Sequence, residues 1–159
     1  MKLTMLTKML TLATLGHDGQ FDKGGRPYIL HPLAVMHKLR TQDEELMCIA
    51  LGHDLIEDGK IEDVRVTYDK LLREGMSARV ISGIRCLTRV PGETEDEYQA
   101  KVKSNIDSCR VKMKDLEHNS DIRRLKGVTD KDIQRTIKYH KFWLELKAVV
   151  DTVTMVTPL

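Results

Sequence analysis

Thr41-Gln42-Asp43-Glu44-Glu45-Leu46-Met47-Cys48-Ile49-Ala50-Leu51-Gly52-His53-Asp54-Leu55-Ile56-Glu57-Asp58-Gly59 joins an apolar helical run to a dense group of acid-base side chains. Thr41 and Glu44 stand in the spacing of a capping box, which predicts a helix launched at Thr41. Met47, Ile49, Ala50 and Leu51 carry that helix into His53-Asp54, and Gly59 ends it. Residues four apart share a helical face, so His53 is expected above Glu57 and Asp54 above Asp58. Carboxylates so placed repel one another. Beside Leu51, Leu55 and Ile56 such repulsion calls for a cation or a proton to offset it. Read alone, the segment fits either a metal-dependent hydrolase site or a solvated acidic stripe at a helix end.

The rest of the chain points to an all-α fold, a compact helical bundle. Its 159 residues suffice for one well-buried core. Aromatic residues make up only 4%, and Leu, Met, Ile, Val and Ala supply the apolar fraction, which favours helices over sheets. One domain is expected over 1–150, followed by a tail, 151–159, in which periodicity is lost. The formal net charge of +2 lacks the basic footprint of a nucleic-acid binder, yet suits a small phosphorylated ligand met by a local positive patch. Cys48, Cys86 and Cys109 have no paired spacing and sit in apolar-periodic segments, as buried reduced thiols of a cytoplasmic protein would. No run approaches the roughly 20 apolar residues of a membrane span.

Leu3, Leu6, Leu10 and Ala13 predict a first helix stopped at Gly16. Gly19, Gly24, Gly25 and Pro27 mark an ordered loop anchored by Tyr28, Ile29 and Leu30. Pro32 is expected to open the next helix at its first position, holding His31 at the helix start. Further helices are expected from Thr67, Ser77 and Thr94. Another begins at Asp107 or Ser108 and runs to about Gly127, and the last begins at Thr129 or Asp130.

A second chemical unit is Val111-Lys112-Met113-Lys114-Asp115-Leu116-Glu117-His118-Asn119, in which Asp115 and Asn119 share a face. A histidine at a helix start, then a His-Asp pair, then an aspartate on a distant helix resembles the ligand order of the HD metal-dependent phosphohydrolases. Gly16-His17-Asp18-Gly19-Gln20-Phe21 and Gly25-Arg26-Pro27-Tyr28-Ile29-Leu30-His31-Pro32 narrow the likeness. They resemble the opening of the hydrolase domain of the RelA/SpoT alarmone enzymes and of their small single-domain relatives, from about Leu3 to about Leu146.

The resemblance implies an HD hydrolase domain in which His31, His53, Asp54 and Asp115 ligate one divalent metal, typically Mn²⁺. Two imidazoles and two carboxylates also suit Fe²⁺, and Zn²⁺ is compatible by ligand type. Glu57 and Asp58 match the acidic pair that orients and deprotonates the attacking water. Asn119 matches the position that contacts the sugar or base, and Tyr28 braces the pocket. Lys23 and Arg26 carry charge that a pyrophosphate requires. The implied reaction is (p)ppGpp 3′-pyrophosphohydrolysis, giving GDP or GTP and pyrophosphate, in a protein that opposes an alarmone synthetase and is compatible with a homo-oligomer. One position departs from the pattern. Asp22 stands where the family generally has an arginine that stacks on guanine, and a carboxylate there cannot stack and repels phosphate. Lys23 supplies charge without a plane. Two other readings follow: an HD enzyme acting on NADPH, a deoxynucleotide or a modified alarmone, and a non-catalytic module that binds a nucleotide or partner.

Overall fold

A computed structural model describes residues 3–156. Nine α-helices are described: α1 (Met5–Gly16), α2 (Leu30–Lys38), α3 (Glu44–Gly52), α4 (Leu55–Asp58), α5 (Tyr68–Arg73), α6 (Ala78–Leu87), α7 (Glu95–Lys103), α8 (Ile106–Asn119) and α9 (Asp130–Val156). A two-stranded antiparallel ribbon, β1 (Lys60–Ile61) and β2 (Val64–Arg65), is the single sheet among the described residues. The fold is all-α, as composition implied.

Helix α3 is the central element. Cys48, Ile49, Ala50 and Leu51 are fully buried, because α1, α2, α6 and α8 pack around it. A helix apolar on every side needs such surroundings. Met9 and Ala13 of α1, Val35 of α2, Val80 and Ile84 of α6 and Val111 of α8 meet its sides, and α9 closes α8 with Phe142 and Leu146. Cys48 and Cys109 are buried and Cys86 half-buried, all as free thiols.

Helix starts follow local chemistry. Thr4, Thr67, Ser77 and Asn105 each accept a backbone N–H three residues on, and Thr94 with Glu97 forms a full capping box. Four expectations are corrected. The cap of α3 is Asp43, which accepts from Leu46 N, while Thr41 instead accepts from Asp43 N. Pro32 is the third residue of α2, whose first turn starts at Leu30. Helix α8 starts one or two residues early, at Ile106, and stops at Asn119, after which Ile122–Arg124 forms a 3-10 turn; this frees the following segment to reach the loop before α2. Helix α9 continues through Val156, so the boundary expected at 150 and 151 falls inside it, and 157–159 lie outside the described residues.

Candidate metal centre

The break after α3 builds the site. Helix α3 ends at Gly52, His53 and Asp54 form the link, and α4 is a single turn. The continuous helix expected through Asp58 is therefore interrupted at the dipeptide itself, which lets neighbours in sequence converge on one point. His53 Nε2 lies 3.0 Å from Asp54 Oδ2. From α2, His31 Nε2 lies 3.2 Å from His53 Nε2 and 3.5 Å from Asp54 Oδ2. From α8, Asp115 Oδ1 lies 3.1 Å from His31 Nε2 and 3.7 Å from His53 Nε2. His31, His53 and Asp115 are buried. Ligand atoms held about 2.1 Å from an octahedral ion stand about 3 Å apart along each edge. The separations and the mixed nitrogen and oxygen donors fit a divalent cation.

Partners outside this cluster orient each of its side chains. His53 Nδ1 is 2.7 Å from the carbonyl of Ala50, to which it donates, so Nε2 is turned to the centre. His31 Nδ1 lies 2.7 Å from His118 Nδ1. Burial and the charge of Arg124 lower His118 to about 4, so His118 is neutral and shares one proton with His31 between the two Nδ1 atoms. Asp115 is braced on both oxygens: Lys112 Nζ donates to Oδ2 at 2.8 Å and Asn119 Nδ2 to Oδ1 at 2.6 Å. Tyr28 Oη donates to Asp54 Oδ2 at 2.6 Å, its ring set between those of His17 and His31.

The electrostatics suit a cation. Burial opposes charge on Asp54 and Asp115, but His53 and Lys112 respectively outweigh it and hold both carboxyls below the usual range. Burial likewise opposes a charged His53, yet Asp54 and Asp115 raise its pKa well above 6.5. Glu57 and Asp58 end α4, and both carboxyls are raised, by burial first and then by the charge of Asp54. Glu57 accepts the backbone N–H of Arg89, while Gln20 Nε2 donates to the carbonyl of Asp58 at 2.7 Å.

Two cavities meet at Tyr28. One of about 830 Å³ is bordered by Glu57, Asp58, Lys60 and Arg65, and one of about 250 Å³ by Lys23, His31, Asn119 and Arg124. No protein-family model matches the chain. It is 32% identical over 120 residues to the guanosine-3′,5′-bis(diphosphate) 3′-pyrophosphohydrolase of Haemophilus influenzae, a match covering 68% of this chain and 17% of that protein. It is 29% identical over 126 residues to the bifunctional (p)ppGpp synthase/hydrolase SpoT of Escherichia coli, covering 72% and 17%. A solved structure described as a metazoan ortholog of SpoT that hydrolyzes ppGpp superposes with a TM-score of 0.72 at 18% identity, over 96% of this chain and 95% of that one. The chain is a SpoT-type homologue. It spans about 17% of the length of the curated relatives that it matches, whereas the superposed structure has nearly its own extent.

Within this SpoT-type chain the loop residues sort unevenly. Lys23 borders the smaller cavity, whereas Arg26 is exposed and outside its lining. Asn119 borders the same cavity but directs its amide to Asp115. Asp22 is not a bare carboxylate facing ligand: it accepts from Gly24 N and Arg26 N, both at 2.9 Å, and pairs with Arg124 Nη2 at 2.8 Å. Lys112, His118 and Arg124 had no assigned role from the sequence. Spacing held a signal for the first two, since Lys112 and His118 lie one helical turn to either side of Asp115. Arg124 had none, because its partner Asp22 is a tertiary contact.

Proposed function

We propose that this chain is a metal-dependent phosphohydrolase that removes the 3′ pyrophosphate from (p)ppGpp, yielding GDP or GTP. The observation that carries this reading is the buried group of His31, His53 and Asp115, with Asp54 Oδ2 3.0 Å and 3.5 Å from the two imidazoles and a cavity that reaches His31. These four residues would hold the ion, Mn²⁺ as the resemblance implies, with Fe²⁺ and Zn²⁺ compatible by ligand type. A bound divalent ion supplies Lewis acidity to a phosphoryl oxygen and lowers the pKa of water.

The chain's own residues do the rest. The nucleoside lies in the cavity bordered by Asn119 and Lys23, with the 3′ phosphate at the cluster. Glu57 and Asp58 face the other side, and their raised pKa values make them better proton acceptors than ordinary carboxylates. One of them takes a proton from the attacking water as its oxygen bonds to phosphorus. The bond between phosphorus and the 3′ oxygen breaks, the 3′ oxygen takes a proton from solvent to end as a hydroxyl, the carboxylate returns its proton to solvent, and pyrophosphate leaves. Tyr28 keeps Asp54 oriented throughout, and Lys23 adds positive charge on the nucleotide side. In a cell such a reaction opposes an alarmone synthetase.

The test is product analysis. Purified protein with Mn²⁺ is given guanosine tetraphosphate, NADPH and a deoxynucleotide panel, with pyrophosphate and orthophosphate measured separately. Pyrophosphate from the tetraphosphate supports the proposal. Orthophosphate from another nucleotide, or tight metal binding without turnover, replaces it.

A further inference from the structure

We propose that Arg124, clamped by Asp22, holds the nucleobase of the substrate, its guanidinium forming a wall of the cavity beside His31 and Asn119. This rests on the nucleotide reading above, and it names a residue that selects the substrate. The cavity of about 250 Å³ lies between the loop that carries Phe21 and Asp22 and the segment after α8, with Tyr28, Asn119 and Tyr139 also on its walls. His31 belongs both to this cavity and to the metal cluster, so a ligand filling it has one end at the cluster.

Arg124 is fixed at two edges. Its Nη2 donates to Asp22 Oδ2 at 2.8 Å and its Nη1 to the carbonyl of His118 at 2.9 Å. The two side chains of the ion pair are only 17% and 11% exposed, so the geometry is not that of a loose surface pair. Asp22 is itself fixed, because its Oδ1 accepts the backbone N–H groups of Gly24 and Arg26. The two segments approach closely: a Cβ on residue 24 would lie 2.4 Å from the carbonyl oxygen of Arg124, so only glycine fits there.

Charge decides what Arg124 binds. Pairing with Asp22 cancels most of its positive potential, so it attracts phosphate weakly. What remains is a rigid plane with unused N–H donors, suited to stacking on an aromatic base and to hydrogen bonds at the base edge. Phosphate is left to the cluster and to Lys23. Asp22, which looked hostile to a nucleotide when read in sequence, is on this view a positioning residue for the arginine.

The test uses the full chain loaded with Mn²⁺ and calorimetric titration of guanosine 3′,5′-bisphosphate and of inorganic pyrophosphate. Arg124→Lys keeps the charge and loses the plane. It is expected to weaken the nucleotide about tenfold and leave pyrophosphate within twofold, with thermal stability unchanged. Asp22→Asn keeps the turn acceptor and loses the ion pair, and should weaken the nucleotide about threefold with the same selectivity. Unchanged nucleotide affinity in Arg124→Lys overturns the inference, as does an equal loss for both ligands. Wild-type protein that binds pyrophosphate but no nucleotide overturns it as well. If the nucleotide binds and Arg124→Lys loses it while no variant hydrolyses guanosine tetraphosphate, the hydrolase reading fails and this one stands.

Discussion

Metal loading should release a proton, and that proton should come from His53. In the metal-free protein the His53 Nε2 lies 3.0 Å from Asp54 Oδ2 and 3.7 Å from Asp115 Oδ1, and its pKa stands well above 6.5. At an effective dielectric of about 20, a unit charge 3.0 Å away contributes roughly 5 kcal/mol, comparable with the several kcal/mol that burying an imidazolium costs. A second carboxylate tips the balance toward the protonated form. A metal ion needs the same Nε2 lone pair, so below the His53 pKa one proton leaves for each ion bound and apparent affinity rises about tenfold per pH unit. Calorimetry of Mn²⁺ binding at pH 6, 7 and 8, in buffers of different ionisation enthalpy, reads both quantities. The expected result is proton release on binding and weaker binding at pH 6 than at pH 8. Affinity independent of pH with no proton released would refute the reasoning. The sign for stability follows. A raised folded-state pKa stabilises the metal-free protein fully below pH 6.5, and that contribution is lost as pH rises through the His53 pKa. Chelated protein should therefore melt lower at pH 9 than at pH 6, and Mn²⁺ should reverse the order.

Lys112→Met removes the cation bonded to the buried Asp115 Oδ2; urea denaturation should show a loss of about 3 kcal/mol in metal-free protein, with part regained on adding Mn²⁺. Gly83→Ala would set a Cβ 2.6 Å from Cδ1 and 2.9 Å from Cγ1 of Ile49 across the contact between α6 and α3, and should cost about 2 kcal/mol by thermal melting while leaving metal stoichiometry unchanged. The pair Glu57→Gln and Asp58→Asn should abolish turnover and retain Mn²⁺ measured by metal analysis; surviving activity would show that these residues do not handle the water.

The helical class was readable because it rests on local signals, whereas the residues of the cluster were named through a family resemblance. Apolar spacing marks helices, and the order His31, His53-Asp54, Asp115 resembles the ligand order of the HD phosphohydrolases. The contacts that set chemistry within the cluster were not readable, since His31 with His118 and Asp22 with Arg124 join segments about a hundred residues apart or nearly so. Asp22 shows the hazard most clearly: alone it reads as repulsive to phosphate, and only its partner reverses that. The ribbon of β1 and β2 escaped notice for another reason. Its strands have two residues each, and Glu62 and Asp63 take positive φ values of 52° and 63° at its turn, where glycine or asparagine would have signalled a hairpin. The expected end of α9 falls short of Val156 because Thr152 and Thr154 break the apolar period, although their hydroxyls donate to the carbonyls of Ala148 and Val150 within the helix.

The most direct measurement is release of pyrophosphate from guanosine tetraphosphate by the metal-loaded protein, followed before and after chelation and in His53→Ala. The predicted result is Mn²⁺-dependent formation of GDP and pyrophosphate in equal amounts, abolished by chelation and by the substitution. Turnover that persists without metal, or orthophosphate as the product, would contradict it.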